Sequence, residues 1–152
     1  MANKIAVVTG ASRGLGRDMA ISLAAKGNDI VLTYSTSEQE AKAVAEEIRA
    51  MGRKAAVIQL DMSKMSAIDP FISSLTASLT EISGQAKFDY LINNAGIPFS
   101  GLSWKQSSAD WDEIFSVNTK APWLVSKYCI PMMREQQYGR IIYFSSVVAH
   151  RP

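Results

Sequence analysis

Residues 5–16 read Ile5-Ala6-Val7-Val8-Thr9-Gly10-Ala11-Ser12-Arg13-Gly14-Leu15-Gly16. A short apolar run is followed at once by a turn that holds three glycines, and helix-type spacing of apolar residues begins after that turn. A strand, a glycine-rich turn and a helix start in this order let backbone N–H groups approach a phosphate closely, at the positive end of the helix dipole. The stretch therefore predicts that the first turn of the chain binds a pyrophosphate group.

The glycine spacing, Gly10-x3-Gly14-x-Gly16, differs from the G-x-G-x-x-G pattern of the general dinucleotide fingerprint. The physical demands are the same: one glycine makes the turn, one brings the backbone near the phosphates, and one allows close packing of helix on sheet. A glycine-rich strand–helix turn that binds nothing is the alternative, since such a turn alone is a weak signal.

The rest of the chain alternates apolar, strand-like runs with segments of helical periodicity. The runs predict strands at 5–8, 29–34, 54–60, 88–92 and 140–144, and helices at 14–26, 37–51, 69–83 and 107–137. Such alternation is typical of an α/β fold with a doubly wound, mostly parallel sheet. We therefore predict one Rossmann-like domain over residues 1–152, with its ligand at the carboxyl ends of the strands.

Helix boundaries are signalled by three local patterns. Ser37 with Glu40 predicts a capping box, Ser107 to Asp110 predicts a capped helix start, and Asp69-Pro70 predicts a cap followed by a proline in the first turn. Two prolines, Pro122 and Pro131, are expected to kink the long last helix.

Composition narrows the function classes. The 152 residues carry 16 basic and 14 acidic side chains without a basic block, which predicts neither nucleic acid nor a membrane surface as a partner. No apolar stretch approaches the ~20 residues that span a bilayer. The one cysteine, Cys129, rules out an intrachain disulfide, which suits a reducing compartment. We expect a cytoplasmic location and no metal site.

The end of the second predicted strand carries hydroxyls where many such proteins carry a carboxylate. A cofactor without a 2′-phosphate usually meets an acidic residue there, but this chain has Tyr34 and Ser35 with Thr and Ser on either side. Hydroxyls can donate to a 2′-phosphate, and the guanidinium of Arg13 can pair with it. The residues favour NADP(H) over NAD(H), with a solvated loop arginine as the alternative for Arg13.

Three further motifs follow in order: Asn93-Asn94-Ala95-Gly96, Val117-Asn118, and Gly139 to Ser146, which reads GRIIYFSS. With Thr9–Gly16 they resemble the short-chain dehydrogenase/reductase family over essentially the whole chain. The motif style is similar to the 3-oxoacyl-acyl-carrier-protein reductase branch, with sugar and steroid dehydrogenases as alternatives. The resemblance implies hydride transfer between NADP(H) and a small ketone or secondary alcohol, a 3-oxoacyl thioester among them.

The resemblance also implies roles for individual residues. The implied cofactor-binding residues are Gly10, Ser12, Arg13, Gly14, Leu15, Gly16, Asp61, Met62, Asn94, Ala95 and Gly96. Asn118 matches the asparagine that holds a water in the family's proton relay, with an ordinary polar helix position as the alternative. Ser146 matches the catalytic serine, which hydrogen-bonds the substrate carbonyl, and Ser145 is its alternative. His150 is expected near the mouth of the site rather than as a base.

The family's Tyr-x3-Lys pattern should follow that serine, and it is not found before Pro152; Tyr128 and Tyr138 precede Ser146 and do not match. We therefore expect an N-terminal part, truncated after the fifth strand and inactive by itself. A non-catalytic nucleotide-binding module and a fragment that binds nothing are the alternatives. Family members associate through the long helix, so the full-length form is expected to be a homo-oligomer. Trp104, Trp111 and Trp123 are interpreted as core or subunit-contact residues.

Overall fold

The computed structural model describes residues 3–98 and 101–146, which form a five-stranded parallel sheet. The strands are β1 (Ile5–Val8), β2 (Asp29–Tyr34), β3 (Ala55–Gln59), β4 (Tyr90–Asn93) and β5 (Arg140–Tyr143). Their order is β3-β2-β1-β4-β5, and every neighbouring pair is parallel. The predicted doubly wound sheet is confirmed. Chain connection reverses between β1 and β4, which places a crevice at their carboxyl ends.

Helices cover both faces of this sheet. They are α1 (Gly14–Ala25), α2 (Glu38–Ala50), α3 (Ile68–Ser83), α4 (Ser108–Phe115) and α5 (Ala121–Glu135), with 3-10 turns at Met65–Ala67 and Ser103–Lys105 and a π-helical turn at Ser116–Lys120. Buried residues of α1 and α2 share one apolar cluster, and those of α3 and α5 share the other. In the described residues, no helix is long and apolar enough to cross a membrane.

The central strand β1 explains why the glycine turn is held firmly. Its side chains alternate between the two clusters, with Ala6 and Val8 on the α1–α2 side and Ile5 and Val7 on the α3–α5 side. All four residues are buried. An apolar run with both faces covered is what a central parallel strand requires.

Carboxylates fix the amino edge of the sheet. Asp29 Oδ1 accepts a hydrogen bond from the Lys54 N–H at 2.8 Å, and Asp89 Oδ2 accepts one from the Ile5 N–H at 2.8 Å. These side chains satisfy N–H groups at the beginnings of β1 and β3, where a strand ladder leaves them open.

The prediction of one continuous helix over residues 107–137 is wrong. The π-helical turn separates α4 from α5, and α5 ends at Glu135. Pro122, in the first turn of α5, has no N–H to donate to the carbonyl of Asn118, so α-helical bonding cannot pass through this point. Pro131 lies inside α5. The capping box of Ser107 and Asp110 is confirmed.

Two other predicted helix caps are wrong, although α2 begins directly after Ser37 as the sequence predicts. The Ser37 side chain makes no cap hydrogen bond, and its ψ of 66° differs from the 160° of the capping residue Ser107. Helix α3 begins at Ile68 after a 3-10 turn, so Asp69 lies inside its first turn and does not cap it. The bounds of β1 and β2 are as predicted, and the ends of the other strands differ by at most two residues; Phe88, for example, is buried but precedes β4.

Candidate functional site

A cleft of about 550 Å³ opens at the carboxyl edge of the sheet. Its lining includes these predicted cofactor contacts: Gly10, Ser12, Arg13, Ser35, Asp61, Met62, Asn94, Ala95 and Gly96. It also includes residues that sequence reasoning did not assign to a ligand: Thr36, Ser37, Leu60, Ser63, Ile97, Glu113 and Val117. Segments that are far apart in sequence therefore meet in one groove, as the switch-point rule for parallel sheets predicts.

The glycine turn leaves no room for side chains at two positions. A Cβ atom on Gly10 would lie 2.9 Å from the Cα of Ala95, and Gly10 has a φ of +65°. A Cβ atom on Gly16 would meet the Gly10 carbonyl oxygen and lie 2.5 Å from Asn94 Nδ2. The two glycines thus allow α1 and the loop after β4 to approach the same turn, and they leave backbone rather than side chains at the bottom of the cleft.

Thr9 and Asn94 join the turns that follow β1 and β4. Thr9 Oγ1 accepts hydrogen bonds from the N–H groups of Asn94 and Ala95, both at 3.0 Å. Asn94 Nδ2 donates to the carbonyl oxygens of Thr9 and Gly10 at 3.0 and 3.1 Å. This reciprocal set fixes the backbone of both turns at the base of the cleft.

Thr33 extends the network to β2. Its Oγ1 accepts from the Gly10 N–H at 3.1 Å, and its carbonyl oxygen accepts from the Ala11 N–H at 2.8 Å. Sequence reasoning missed both Thr9 and Thr33, which are buried. A threonine at the carboxyl end of an otherwise apolar strand, beside a glycine turn, was the available signal.

The wall opposite the glycine turn is rich in hydroxyls. Ser35, Thr36 and Ser37 line it, and the exposed Arg13 faces the same cleft. Among the described residues the Arg13 side chain has no hydrogen-bond or ion-pair partner. A guanidinium without a carboxylate partner, in a cleft that also presents three hydroxyls, is suited to binding a phosphate dianion.

Asp61, an acid of the cleft, is neutralised locally. Its Oδ1 accepts from the hydroxyl and the N–H of Ser63 at 2.6 and 3.1 Å, and its Oδ2 lies 3.2 Å from Lys64 Nζ. The Ser63 hydroxyl is the main cause that lowers the pKa of this carboxyl. Asp61 is therefore an ionised hydrogen-bond acceptor whose charge is offset by a lysine.

Several predicted contacts lie outside the cleft lining. Gly14 and Gly16 belong to the first turn of α1, and the Leu15 side chain is exposed. Tyr34 is half-buried against the α1–α2 cluster. Met62 lines the cleft but is buried in the α3–α5 cluster beneath it. The cofactor-binding role of each of these residues stays a prediction.

Asn118 clamps the loop after β4. Its Oδ1 accepts from the Ile97 N–H and its Nδ2 donates to the Ile97 carbonyl oxygen, both at 2.8 Å. The residue lies in the π-helical turn, and a Cβ atom on Gly96 would lie 3.1 Å from its Oδ1. π-helical turns frequently mark functional positions. The structure shows a positioning contact; the relay role of Asn118 stays a prediction.

Ser145 and Ser146 follow β5 at the same edge and are exposed. The Phe144 N–H donates to the Asn93 carbonyl oxygen at 3.1 Å, which continues the β4–β5 pairing up to these serines. The structure does not distinguish Ser146 from Ser145 as the reacting hydroxyl. His150, expected near the mouth of the site, lies outside the described residues.

Ser126 ties this edge to α5. Its Oγ accepts from the Tyr143 hydroxyl at 2.6 Å and from Asn93 Nδ2 at 3.2 Å. Asn93 Oδ1 is buried, and within residues 3–98 and 101–146 it has no hydrogen-bond partner. Sequence reasoning did not find this contact set, since its three residues come from three separate segments.

The only cysteine is not reactive in this fold. Burial raises the pKa of the Cys129 thiol to about 12, so the thiolate is rare at neutral pH.

The three tryptophans are exposed rather than core residues: Trp104, Trp111 and Trp123 retain 78%, 54% and 55% of their surface. Trp111 stacks on Phe115 with ring centroids 4.6 Å apart. The interpretation of the tryptophans as core residues is wrong.

Comparison with known proteins gives consistent matches. The family model described as short chain dehydrogenase matches residues 4–152. A 3-oxoacyl-[acyl-carrier-protein] reductase of Staphylococcus epidermidis is 34% identical over 146 residues, which cover 96% of this chain and 57% of the relative. The chain thus spans little more than half the length of the curated relatives it matches.

Two solved structures are similar to this chain in fold as well as in sequence. A metagenomic short-chain oxidoreductase in complex with NADP has a TM-score of 0.86 and 36% identity, covering 98% of this chain and 65% of that one. Acetoin dehydrogenase from Enterobacter cloacae has a TM-score of 0.87 and 32% identity, covering 99% of this chain and 58% of that one.

Proposed function

Because the chain belongs to the short-chain dehydrogenase family, we propose that residues 1–152 form the cofactor-binding part of an NADP(H)-dependent oxidoreductase. The observation that carries the proposal is the cleft at the carboxyl ends of β1 and β4, with Arg13 unpaired beside Ser35 in its lining. The matches to 3-oxoacyl-[acyl-carrier-protein] reductases support a position near that branch of the family.

The residues present fit a dinucleotide. Gly10 and Gly16 leave a cradle of backbone that any Cβ atom would fill, and the first turn of α1 presents its N–H groups there. In this arrangement Ser12 and Gly14 hold the pyrophosphate. Asp61 and Met62, at the end of β3, border the adenine, and Asn94 to Gly96 support the nicotinamide side through their backbone.

The preference for NADP(H) over NAD(H) rests on charge. Arg13, Ser35 and Ser37 line the cleft together and none of them is a carboxylate, which suits a 2′-phosphate. The oxidoreductase with bound NADP among the similar structures supports the same cofactor. A carboxylate at this wall would instead repel the phosphate.

The proposed reaction is hydride transfer between the nicotinamide and a ketone or secondary alcohol. The cofactor supplies or accepts the hydride when bound. Ser146 donates a hydrogen bond to the substrate carbonyl oxygen as negative charge develops there, and Asn118 fixes the loop that borders this position. A 3-oxoacyl thioester is the favoured substrate class on the reductase matches, and a hydroxyketone is the second on the acetoin dehydrogenase match.

Self-association of the whole protein is part of the proposal. The outer faces of α4 and α5 expose Trp111, Phe115 and Trp123 together. Exposed aromatic groups of this size are typical of protein interfaces. Light scattering on the protein tests it: a dimer or tetramer is expected, and a monomer at micromolar concentration contradicts it.

The decisive experiment compares two arginine variants in cofactor binding. The purified chain is titrated with NADPH and with NADH, and binding is followed by cofactor fluorescence. We expect NADPH to bind more tightly, and Arg13→Gln to weaken NADPH binding about tenfold or more, since a charge-assisted phosphate contact is lost. Arg17→Gln is the matched control. Arg17 follows Arg13 by about one turn of α1, and its guanidinium already pairs with Glu47 at 2.8 Å.

The outcomes separate the alternatives. Equal affinity for both cofactors in the parent chain, or equal losses in the two variants, contradicts the NADP(H) proposal. Absence of any cofactor signal favours a fragment that binds nothing. A second titration adds a β-keto ester and follows NADPH absorbance: turnover supports the oxidoreductase and contradicts the expectation that these residues alone are inactive, while binding without turnover fits a nucleotide-binding module.

A further inference from the structure

We propose that Tyr138 is a nucleophilic phenol and a site of O-acylation by activated acyl donors. It lies at the amino edge of the sheet, near the starts of β4 and β5, and therefore on the side opposite the cofactor cleft. The proposal is independent of the oxidoreductase function and uses none of the residues assigned to it.

The phenol belongs to a compact group of aromatic and cationic side chains. Lys4 Nζ donates hydrogen bonds to the hydroxyl oxygens of Tyr138 at 2.9 Å and Tyr90 at 3.0 Å. The ring centroids of these tyrosines lie 6.4 Å apart in an edge-to-face arrangement. The Arg140 guanidinium carbon lies 5.2 Å from the Tyr138 ring centroid.

The charges of this group all favour the phenolate. In the part of the chain that the structure describes, Lys4 has no carboxylate partner, and the Arg140 guanidinium donates to the Gly139 carbonyl oxygen. The nearby carboxylate of Asp89 accepts from the Ile5 N–H instead. The ammonium of Lys4 is therefore directed at phenol oxygens rather than at a neutralising acid.

The hydrogen bond from Lys4 is the largest cause that lowers the pKa of Tyr138, and the neighbouring Tyr90 side chain lowers it further. The same contacts raise the pKa of Lys4 well above its ordinary value. Lys4 thus stays an ammonium ion at neutral pH and does not compete as a nucleophile, because only a neutral amine attacks an acyl group.

The reaction balances without a redox partner. The phenolate oxygen of Tyr138 attacks the carbonyl carbon of the donor, a C–O bond forms, and the bond from that carbon to the leaving group breaks. With N-acetylimidazole as the probe, the phenol proton ends on the released imidazole, and the protein gains one acetyl ester.

Tyr128 gives an internal reference on the same molecule. It is exposed, and Lys127 Nζ lies 5.6 Å from its ring centroid. Among the described residues no cation donates to its hydroxyl oxygen. The two tyrosines therefore each have a lysine nearby and differ in whether that lysine is hydrogen-bonded to the oxygen.

The test measures acetylation rates by peptide mass spectrometry after brief exposure to N-acetylimidazole near pH 7.5. Tyr138 is expected to react about fivefold faster than Tyr128, since phenolate population rises as the pKa falls. Lys4→Met should remove most of this advantage, and the matched Lys127→Met should leave the Tyr128 rate unchanged. Hydroxylamine treatment should remove the label, which identifies an ester on tyrosine rather than an amide on lysine.

Equal rates at the two tyrosines overturn the proposal. A Tyr138 rate that survives Lys4→Met in a protein with an unchanged circular dichroism spectrum also overturns it, as does hydroxylamine-resistant label on Lys4. Lys4 is exposed, so its replacement leaves the core intact and each of these readings decides the question.

Discussion

The strands β1 and β5 end at the same edge of the sheet, but their surroundings differ. All four residues of β1 are buried, whereas Ile142, Tyr143 and the following Phe144 keep about half of their surface exposed. Helices pack on both faces of β1. Only the α3–α5 cluster reaches β5, through Ile141, among the described residues. The glycine turn thus follows a strand that helices cover on both faces. Among the described residues, the candidate serines follow a strand that is packed on one face only.

This difference teaches that the two halves of the proposed site are packed to different degrees. Cofactor contacts rest on β1, β2 and β4 and on the hydrogen bonds of Thr9 and Asn94. The candidate reacting hydroxyl of Ser146 rests on β5 and on the Tyr143–Ser126 contact. Because β4 pairs with β5 and Ser126 bonds both Asn93 and Tyr143, the β5 half depends in part on the cofactor half.

The largest expected effect compares the same residue type in the two strands. Ile5→Ala in β1, where the side chain is 3% exposed, should lower the free energy of unfolding by about 3 kcal/mol, since it removes buried atoms and leaves a cavity. Ile142→Ala in β5, at 46% exposed, should cost less than about 1 kcal/mol. Urea denaturation measures both, and similar losses would break the comparison.

A second test concerns the turn that β1 supports. Gly16→Ala should destabilise the protein by about 2 kcal/mol, because the new methyl group meets the Gly10 carbonyl oxygen and the Asn94 amide. Cofactor binding should weaken with it, as the turn is displaced.

Gly14→Ala is the control for that variant. Gly14 has a φ of +56°, and among the described residues no atom would lie within 4 Å of a Cβ atom added there. Only the backbone conformation therefore costs energy, about 1 kcal/mol. Thermal unfolding of both variants checks the order. A Gly14→Ala loss equal to that of Gly16→Ala would show that backbone strain, rather than close packing, makes the turn.

A third test addresses Asn118, which clamps the loop after β4. Asn118→Ala removes both hydrogen bonds to Ile97, each worth about 1 kcal/mol. Hydrogen exchange at the Ile97 amide should become about tenfold faster, with a small change in global stability. Thr119→Ala, at the exposed neighbouring position, should leave that amide unchanged; an equal effect would show that Asn118 is not the clamp.

The fold was predictable because its signals are local and repeated. Each strand from β1 to β4 is a short apolar run bounded by turn residues, and the strand order follows from general rules for parallel sheets. What failed were the bounds of β3, β4 and β5, the unbroken helix over residues 107–137 and the caps at Ser37 and Asp69, which depend on backbone angles that tertiary contacts set.

The candidate site was predictable where a residue type in a turn indicates a single structural or binding role. Gly10, Arg13 and Asn94 carried the prediction, and the cleft brings them together. Thr9 and Thr33 could not be found this way, because a buried threonine in a strand is ordinary and only three-dimensional proximity shows what its hydroxyl bonds. The interruption of the long helix at Ser116–Lys120 was also missed. Pro122 predicts a kink in that helix, but the sequence does not indicate that the kink takes the form of a π-helical turn.

The smallest expected effect compares two serines for which the sequence predicts the same capping role, Ser107 before α4 and Ser37 before α2. Ser107→Ala should lower stability by about 1 kcal/mol, since the Ser107 hydroxyl caps α4 through the Asp110 N–H at 3.1 Å. Ser37→Ala should change stability little, because the Ser37 side chain makes no cap hydrogen bond and lines the cleft instead. Urea denaturation at neutral pH compares them, and equal losses would show that both serines cap in solution.

The pH dependence sharpens this last comparison. Hydrogen bonds from Ser107 lower the pKa of the Asp110 carboxyl from its usual 3.8. The folded state therefore holds its proton less tightly than the unfolded state, so the contribution is fully present above pH 3.8 and is lost as pH falls through the lower, folded value. The difference between the parent chain and Ser107→Ala should shrink in that acid range, and the Ser37→Ala difference should stay flat. A Ser107→Ala difference that stays constant throughout that acid range would show that the carboxylate takes no part in the cap.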